Sequence, residues 1–232
     1  MKSKLRDLIK AARNREGSEL VPHVNDVLPD KPGHWTAKDQ LAHTTAWRQV
    51  AAAEFDAVRT GGPGPVVSDD DNTANAEIYA RTHDQSAASI LDAGSSSWDQ
   101  LAAALEACSE EDLTKPRLRD ANTPLSRRIP DMAYHLSEHL VYWHTDRGDE
   151  AAAEQAAKWG YEVASSELPD DRGRGTAVYN LACFYAKRGR AEEAMPLLRK
   201  GIELRPDLRE WAKQDTDLDP IRSTPELASL LG

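Results

Sequence analysis

Nowhere in this chain do β-branched and aromatic residues gather into an alternating, strand-like run. Apolar positions recur instead every three to four residues over long stretches. In an alanine-rich sequence with 6% aromatic residues, that period commits the chain to helices packed on helices. Leu5, Leu8, Ile9 and Ala12 set a first helix from about residue 3, which Gly17 and Pro22 end or kink. Leu20, Val24, Val27 and Leu28 can prolong its apolar face, and "LPDKPG" (28–33) reads as a turn. "WTAKD" opens a second helix with a capping box, Thr36 with Asp39 three residues on, and this helix runs to about Arg59.

"GGPGPVVSDDDNT" (61–73) cannot stay helical and is predicted to be a surface loop. A third helical region covers about 74–107, with "DAGSSSWD" (92–99) expected to kink or break it. After a loop holding Pro116 and Pro124, a fourth helix begins near Pro130 and ends before Gly148. The fold class is therefore all-α, an antiparallel four-helix bundle over residues 1–147.

From 148 to 232 the texture changes. A helix over about 149–167 precedes "AVYNLACFYAKRGRAEEAMPLLRKGIELRPD" (177–207), which resembles a tetratricopeptide repeat. Leu181, Ala182 and Tyr185 line its first helix, Gly189 and Arg190 make the turn, and Ala194, Leu198 and Ile202 line the second, stopped by Pro206. A single repeat is too little for a free-standing solenoid, so the segment is expected to lean on the bundle.

The 232 residues carry a net charge of −10, which disfavours nucleic acid and an anionic membrane surface. No run of apolar residues reaches membrane-spanning length, and the charged N-terminus has no secretion-signal core. Cys108 and Cys183 form neither a disulfide framework nor a zinc pair. The sequence thus predicts a reduced, cytoplasmic protein, monomeric or homodimeric.

Three of the seven histidines fall within "AYHLSEHLVYWHTD" (133–146). At ~100° per residue, His135, His139 and Tyr142 share one stripe with Glu138 on its flank, and His144 lies roughly 140° round from His139. Two imidazoles one turn apart can grip one divalent ion if a third ligand arrives from elsewhere. His43 in "LAHTTAW" is the candidate, between Asp39 and Trp47 on its own helix. The same spacing also suits a packed histidine pair in a core. His23, His34 and His83 carry no assigned role.

"HWTAKDQLAHTTAW" followed far downstream by "YHLSEHLVYW" resembles the DinB-like superfamily of four-helix bundles. Its metal-binding members use one histidine of the second helix and a pair on the fourth, a correspondence that falls on His43, His135 and His139. The likeness extends to the branch of the DfsB and colibactin self-resistance proteins. It rests there on Ala46–Trp47, on Asn75, Ile78 and Tyr79, and on Tyr134, His135, Glu138 and His139 read with a spacing difference. The tetratricopeptide-like tail departs from the simplest members.

The resemblance implies an enzyme that delivers water or a small thiol to an electrophilic small molecule, aided by a divalent metal such as zinc or nickel. Glu138 and Tyr142 are then the candidate catalytic side chains, Trp47, Tyr79 and Trp143 the substrate pocket, and loop 61–73 a candidate lid. Each also has a plainer reading as core or solvated helix surface. The competing function is a non-catalytic module that holds a peptide through the tetratricopeptide-like segment.

Overall fold

The computed structural model describes residues 1–26, 34–167 and 171–232, so the turn expected at 28–33 and the apolar contribution of Val27 lie outside the described residues. Two compact units result, Met1–Ala153 and Glu154–Gly232. Among the described residues there is no strand, only an isolated bridge between Pro116 and Pro124. No helix is long and apolar enough to cross a membrane.

In the first unit α1 (Lys2–Glu19) buries Leu5, Ile9, Ala12 and Glu16. Gly17 lies inside it, and the chain turns at a 3-10 segment, Val21–His23, with Pro22 in its first turn. Helix α2 (Ala37–Thr60) starts with the expected capping box: the Asp39 N–H donates to Thr36 Oγ1 at 3.2 Å and the Thr36 N–H to Asp39 Oδ2 at 3.0 Å. It stops where Gly61 takes φ +68°, a left-handed conformation that favours glycine.

Asp70 caps α3 (Asp71–Thr82) and Ser86 caps α4 (Ala87–Ala107). The break in the third region therefore falls around residues 83–86, and 92–99 lie within an unbroken helix. Close packing explains the correction. Gly94 and Ser97 are buried where α4 packs on α2, with Gly94 facing Leu41 and Thr45 in ordinary contact, so tertiary packing keeps this stretch helical. Helix α5 (Arg128–Asp146) carries Pro130 in its first turn.

Helices α1 and α2 each pack against both α4 and α5, which makes the four-helix bundle, and α3 packs on α2. Phe55, Leu101, Leu105, Leu136 and Leu140 are fully buried within it. A polar cluster is buried there too. Glu16 accepts from Arg48 Nη1 at 2.5 Å, Arg48 Nη2 at 3.1 Å and Trp98 Nε1 at 2.7 Å. Arg48 also donates to Ser97 Oγ and Thr45 Oγ1, each at 2.9 Å.

The second unit contains most of α6 (Glu150–Glu167), then α7 (Asp171–Ala186), α8 (Ala191–Leu204), α9 (Leu208–Ala212) and α10 (Pro225–Leu231). Helices α7 and α8 form a hairpin through Gly189 at φ +68°. They approach so closely that a side chain on Gly201 would stand 3.3 Å from the Gly175 carbonyl. Tyr179 Oη donates to Asp215 at 2.8 Å and ties the hairpin to the 3-10 segment Thr216–Ile221 that follows α9.

Candidate metal centre

The contact between α2 and α5 brings His43 opposite His135 and His139, which lie one turn apart on the same stripe of α5. His135 Nε2 stands 3.1 Å from His43 Nε2 and 3.0 Å from His139 Nε2. Nitrogens about 2.1 Å from one ion, with adjacent ligand directions near a right angle, are separated by about that much. Both contacts centre on His135 Nε2, whose single proton would have to be split between two acceptors, whereas one divalent cation serves all three nitrogens. His43 and His139 are buried, and the three ligand atoms lie within 4.8 Å of one another.

The electrostatics favour the bare ligand form. Burial pushes the pKa of His43 down to about 4. Burial, and then the neighbouring His43, push His135 down to about 3, and burial holds His139 well below its ordinary value. All three rings are thus neutral near pH 7. The His139 Nδ1–H donates to Gln40 Oε1, which leaves Nε2 with its lone pair toward the other two rings. The residues fit a divalent cation. His43 Nδ1 is buried without a hydrogen-bond partner among the described residues.

A cavity of about 880 Å³ reaches the cluster at His135. Trp47 and Glu138 line it near the histidine, and Gly64 and Pro65 bring the loop after α2 to its edge. Trp47 Nε1 donates to Asn75 Oδ1 at 3.1 Å, so α3 fixes the indole. On another side Trp35 stacks on His139, with ring centres 5.9 Å apart and planes at 10°, and also contacts His43 at 4.9 Å.

The remaining sequence candidates do not line this cavity. Tyr79 stacks on Trp35 and on His83, away from the cavity lining. Tyr142 is half exposed and presents a ring edge to His139 without lining the cavity. Trp143 does not belong to the pocket: it is wholly buried, packed on the His23 ring with the Arg147 guanidinium over its face. It is only ~40° round α5 from His139, so the His23 and Arg147 contacts, not its helical register, account for its place outside the cavity lining. His144 stays outside, bonded to Glu19 at 2.8 Å.

Sequence reasoning missed the supporting groups. Gln40 sits three residues before His43, a spacing that shares a face of α2, and could have been found that way. Trp35 precedes the helix cap and has no periodic signal; its only signal was the tryptophan-opened helix in "HWTAKDQLAHTTAW" that carries the family likeness. His83 reaches the other oxygen of the capping Asp39 at 3.0 Å, a link between α3 and α2 with no sequence signature.

An all-helical bundle with a buried three-histidine cluster between its second and last long helices defines a class of protein suited to holding a metal ion. The family model of the DinB superfamily matches residues 18–142, more than half of the chain and including all three histidines. The chain belongs to the DinB superfamily, which is often metal-binding. No curated protein and no solved structure matches it significantly.

Proposed function

We propose that the bundle unit is a small-molecule-modifying enzyme in which His43, His135 and His139 hold one divalent ion, zinc or nickel. The cavity beside them receives an electrophilic substrate that is attacked by water or a small thiol. Bound there, the ion would lower the pKa of the nucleophile and so supply it at neutral pH. The observation that carries this reading is the meeting of three neutral imidazole nitrogens at one point beside a cavity.

The chain's own residues supply the rest. Glu138 lines the cavity together with His135 and is the candidate base for the proton of the incoming water or thiol. In ring opening, the nucleophile–carbon bond forms as the strained ring bond breaks, and the proton passes through Glu138 to the leaving atom. Trp47, held by Asn75, gives an apolar wall that excludes bulk water from that end. Trp35 fixes the ring planes from the other side. The self-resistance or detoxification type of substrate follows from the likeness to the DfsB branch.

The test is incubation of zinc- or nickel-loaded protein with cyclopropane- or aziridine-bearing electrophiles, with and without small thiols, followed by mass spectrometry. His43→Ala and His139→Ala should abolish ring opening with helix content intact. Turnover surviving both would remove these histidines from the mechanism. It would put first the second reading, peptide binding by the tetratricopeptide-like hairpin, whose support is a groove of about 680 Å³ lined by the half-exposed Trp211.

A further inference from the structure

The end of the cavity away from the histidines carries three arginines, Arg117, Arg119 and Arg128, among the carboxylates Glu54, Asp71 and Asp131. Arg128 opens α5 and lies seven residues before His135, so both sit on nearly the same stripe of that helix, ~10.5 Å apart along its axis. Both line the cavity, and so does Arg117. The Arg128 side chain is nine-tenths buried; its Nε stands 3.1 Å from Glu54 Oε2, yet its N–H is not directed at any acceptor among the described residues. The contact with Glu54 is thus ionic and leaves the donors of the guanidinium undirected.

Glu54 is shared. Its other oxygen lies 3.5 Å from Arg117 Nε and accepts from the Leu118 N–H at 3.1 Å. Arg117 turns its Nη1 to Asp131 at 2.7 Å. Burial, with Arg117 and Arg119 nearby, opposes the charge on Arg128, while Glu54 and Asp131 support it; a guanidinium stays protonated regardless. A second oxyanion arriving from the cavity would relieve both the unmet donors and the repulsion among arginines.

We infer that the substrate carries an anionic oxygen group, a carboxylate or phosphate, which binds Arg128 while its reactive atom lies at the histidine cluster about 10 Å away. This rests on the proposed function and adds a charge and a length to its substrate. A hydrophobic neutral electrophile would leave the Arg128 donors unmet; an anionic one of the right span meets them and is held in register with the reacting end.

The test uses the full-length protein loaded with cobalt and reads the thiolate-to-metal absorption band on titration with mercapto-acids of increasing chain length. Mercaptooctanoate spans the two ends and mercaptopropionate does not. The long acid should bind roughly ten- to hundred-fold more tightly than mercaptooctanol, and the short acid should show little such advantage over its own alcohol. Arg128→Gln should erase the advantage while leaving alcohol binding and metal content unchanged. Equal affinity of long acid and long alcohol in the wild-type protein overturns the anionic subsite and leaves the metal reading standing. Loss of binding by every thiol, with cobalt retained, removes the nucleophile reading and the subsite with it. A series of phosphate-ended thiols run beside the carboxylates distinguishes the two anions.

Discussion

Two polar clusters are buried in the same bundle, and α2 contributes to both. Around Glu16 and Arg48, each nitrogen of the guanidinium has a partner: the carboxylate accepts from Arg48, Trp98 and Thr44, and the guanidinium also donates to Ser97 and Thr45. Around His43, His135 and His139, three like nitrogens face one another and His43 Nδ1 is unmet. Residues 43 and 48 are five apart, so they face ~140° apart around one helix. A polar cluster that closes on itself holds the fold in register. One left open toward a cavity is organised for something that arrives from outside.

The largest expected effect breaks the closed cluster. Arg48→Leu strands the buried Glu16 carboxylate and should cost about 3–5 kcal/mol, lowering the melting temperature by roughly ten degrees or more. Replacing both residues, Glu16→Leu with Arg48→Met, should restore most of it, because the uncompensated charge is gone. Denaturant titration of the three proteins decides. If Arg48→Leu alone lost under about 1 kcal/mol, the cluster would not be an internal brace of the bundle.

The open cluster should respond to its ligand instead. Zinc at about a hundred times its dissociation constant should stabilise the wild-type protein by about 2.7 kcal/mol. His139→Ala should abolish that gain, whereas the Glu16/Arg48 double variant should keep it. A zinc-dependent melting shift that persisted in His139→Ala would place the ion elsewhere.

Acid separates the clusters again. In the metal-free protein, burial holds His43 and His135 at about 4 and about 3, below their ordinary 6.5. Between those values the unfolded chain binds more protons than the folded one. The stability these neutral rings allow is therefore complete above about pH 6.5 and is lost as pH falls toward 4. Each group contributes a slope of up to ~1.4 kcal/mol per pH unit. His43→Asn has no such proton to take up, so its metal-free stability should fall less between pH 7 and pH 5. Parallel losses in the two proteins would mean that His43 is not held neutral by folding.

Periodicity made the bundle legible, and the Thr36–Asp39 cap and the exclusion of His144 followed from elementary helix geometry. The register of α4 did not. Gly94 and the serines of "DAGSSSWD" look like breakers until α2 lies against them, which is tertiary contact and not local preference. Likewise Trp143 sits one turn beyond His139 yet packs on His23 of the 3-10 segment Val21–His23, since a stripe of apolar residues does not reveal which neighbour it meets. The His135–His139 stripe was legible from a spacing of four, while the convergence of His43 on it rested on the likeness to the DinB-like superfamily. The arginine end of the cavity was not, since Glu54, Arg117 and Arg128 come together only through the bundle and its loop.

The smallest expected effect tests whether the open cluster has any closed part of its own. Gln40 is the buried amide that accepts from His139 Nδ1–H, and it sets the tautomer in which Nε2 is bare. Gln40→Leu removes that acceptor and keeps the volume, so the folded protein should survive with little change in metal-free stability. Metal affinity should weaken by on the order of ten-fold, the low end for loss of an outer-shell partner. The reason for the low end is Trp35, whose stacking on His139 keeps the ring plane when the hydrogen bond is gone. Pairing Gln40→Leu with Trp35→Leu should then cost more than the two single losses added together. Strictly additive losses would show that ring orientation and tautomer are set independently, and that the histidine cluster has no internal brace comparable to the one around Arg48.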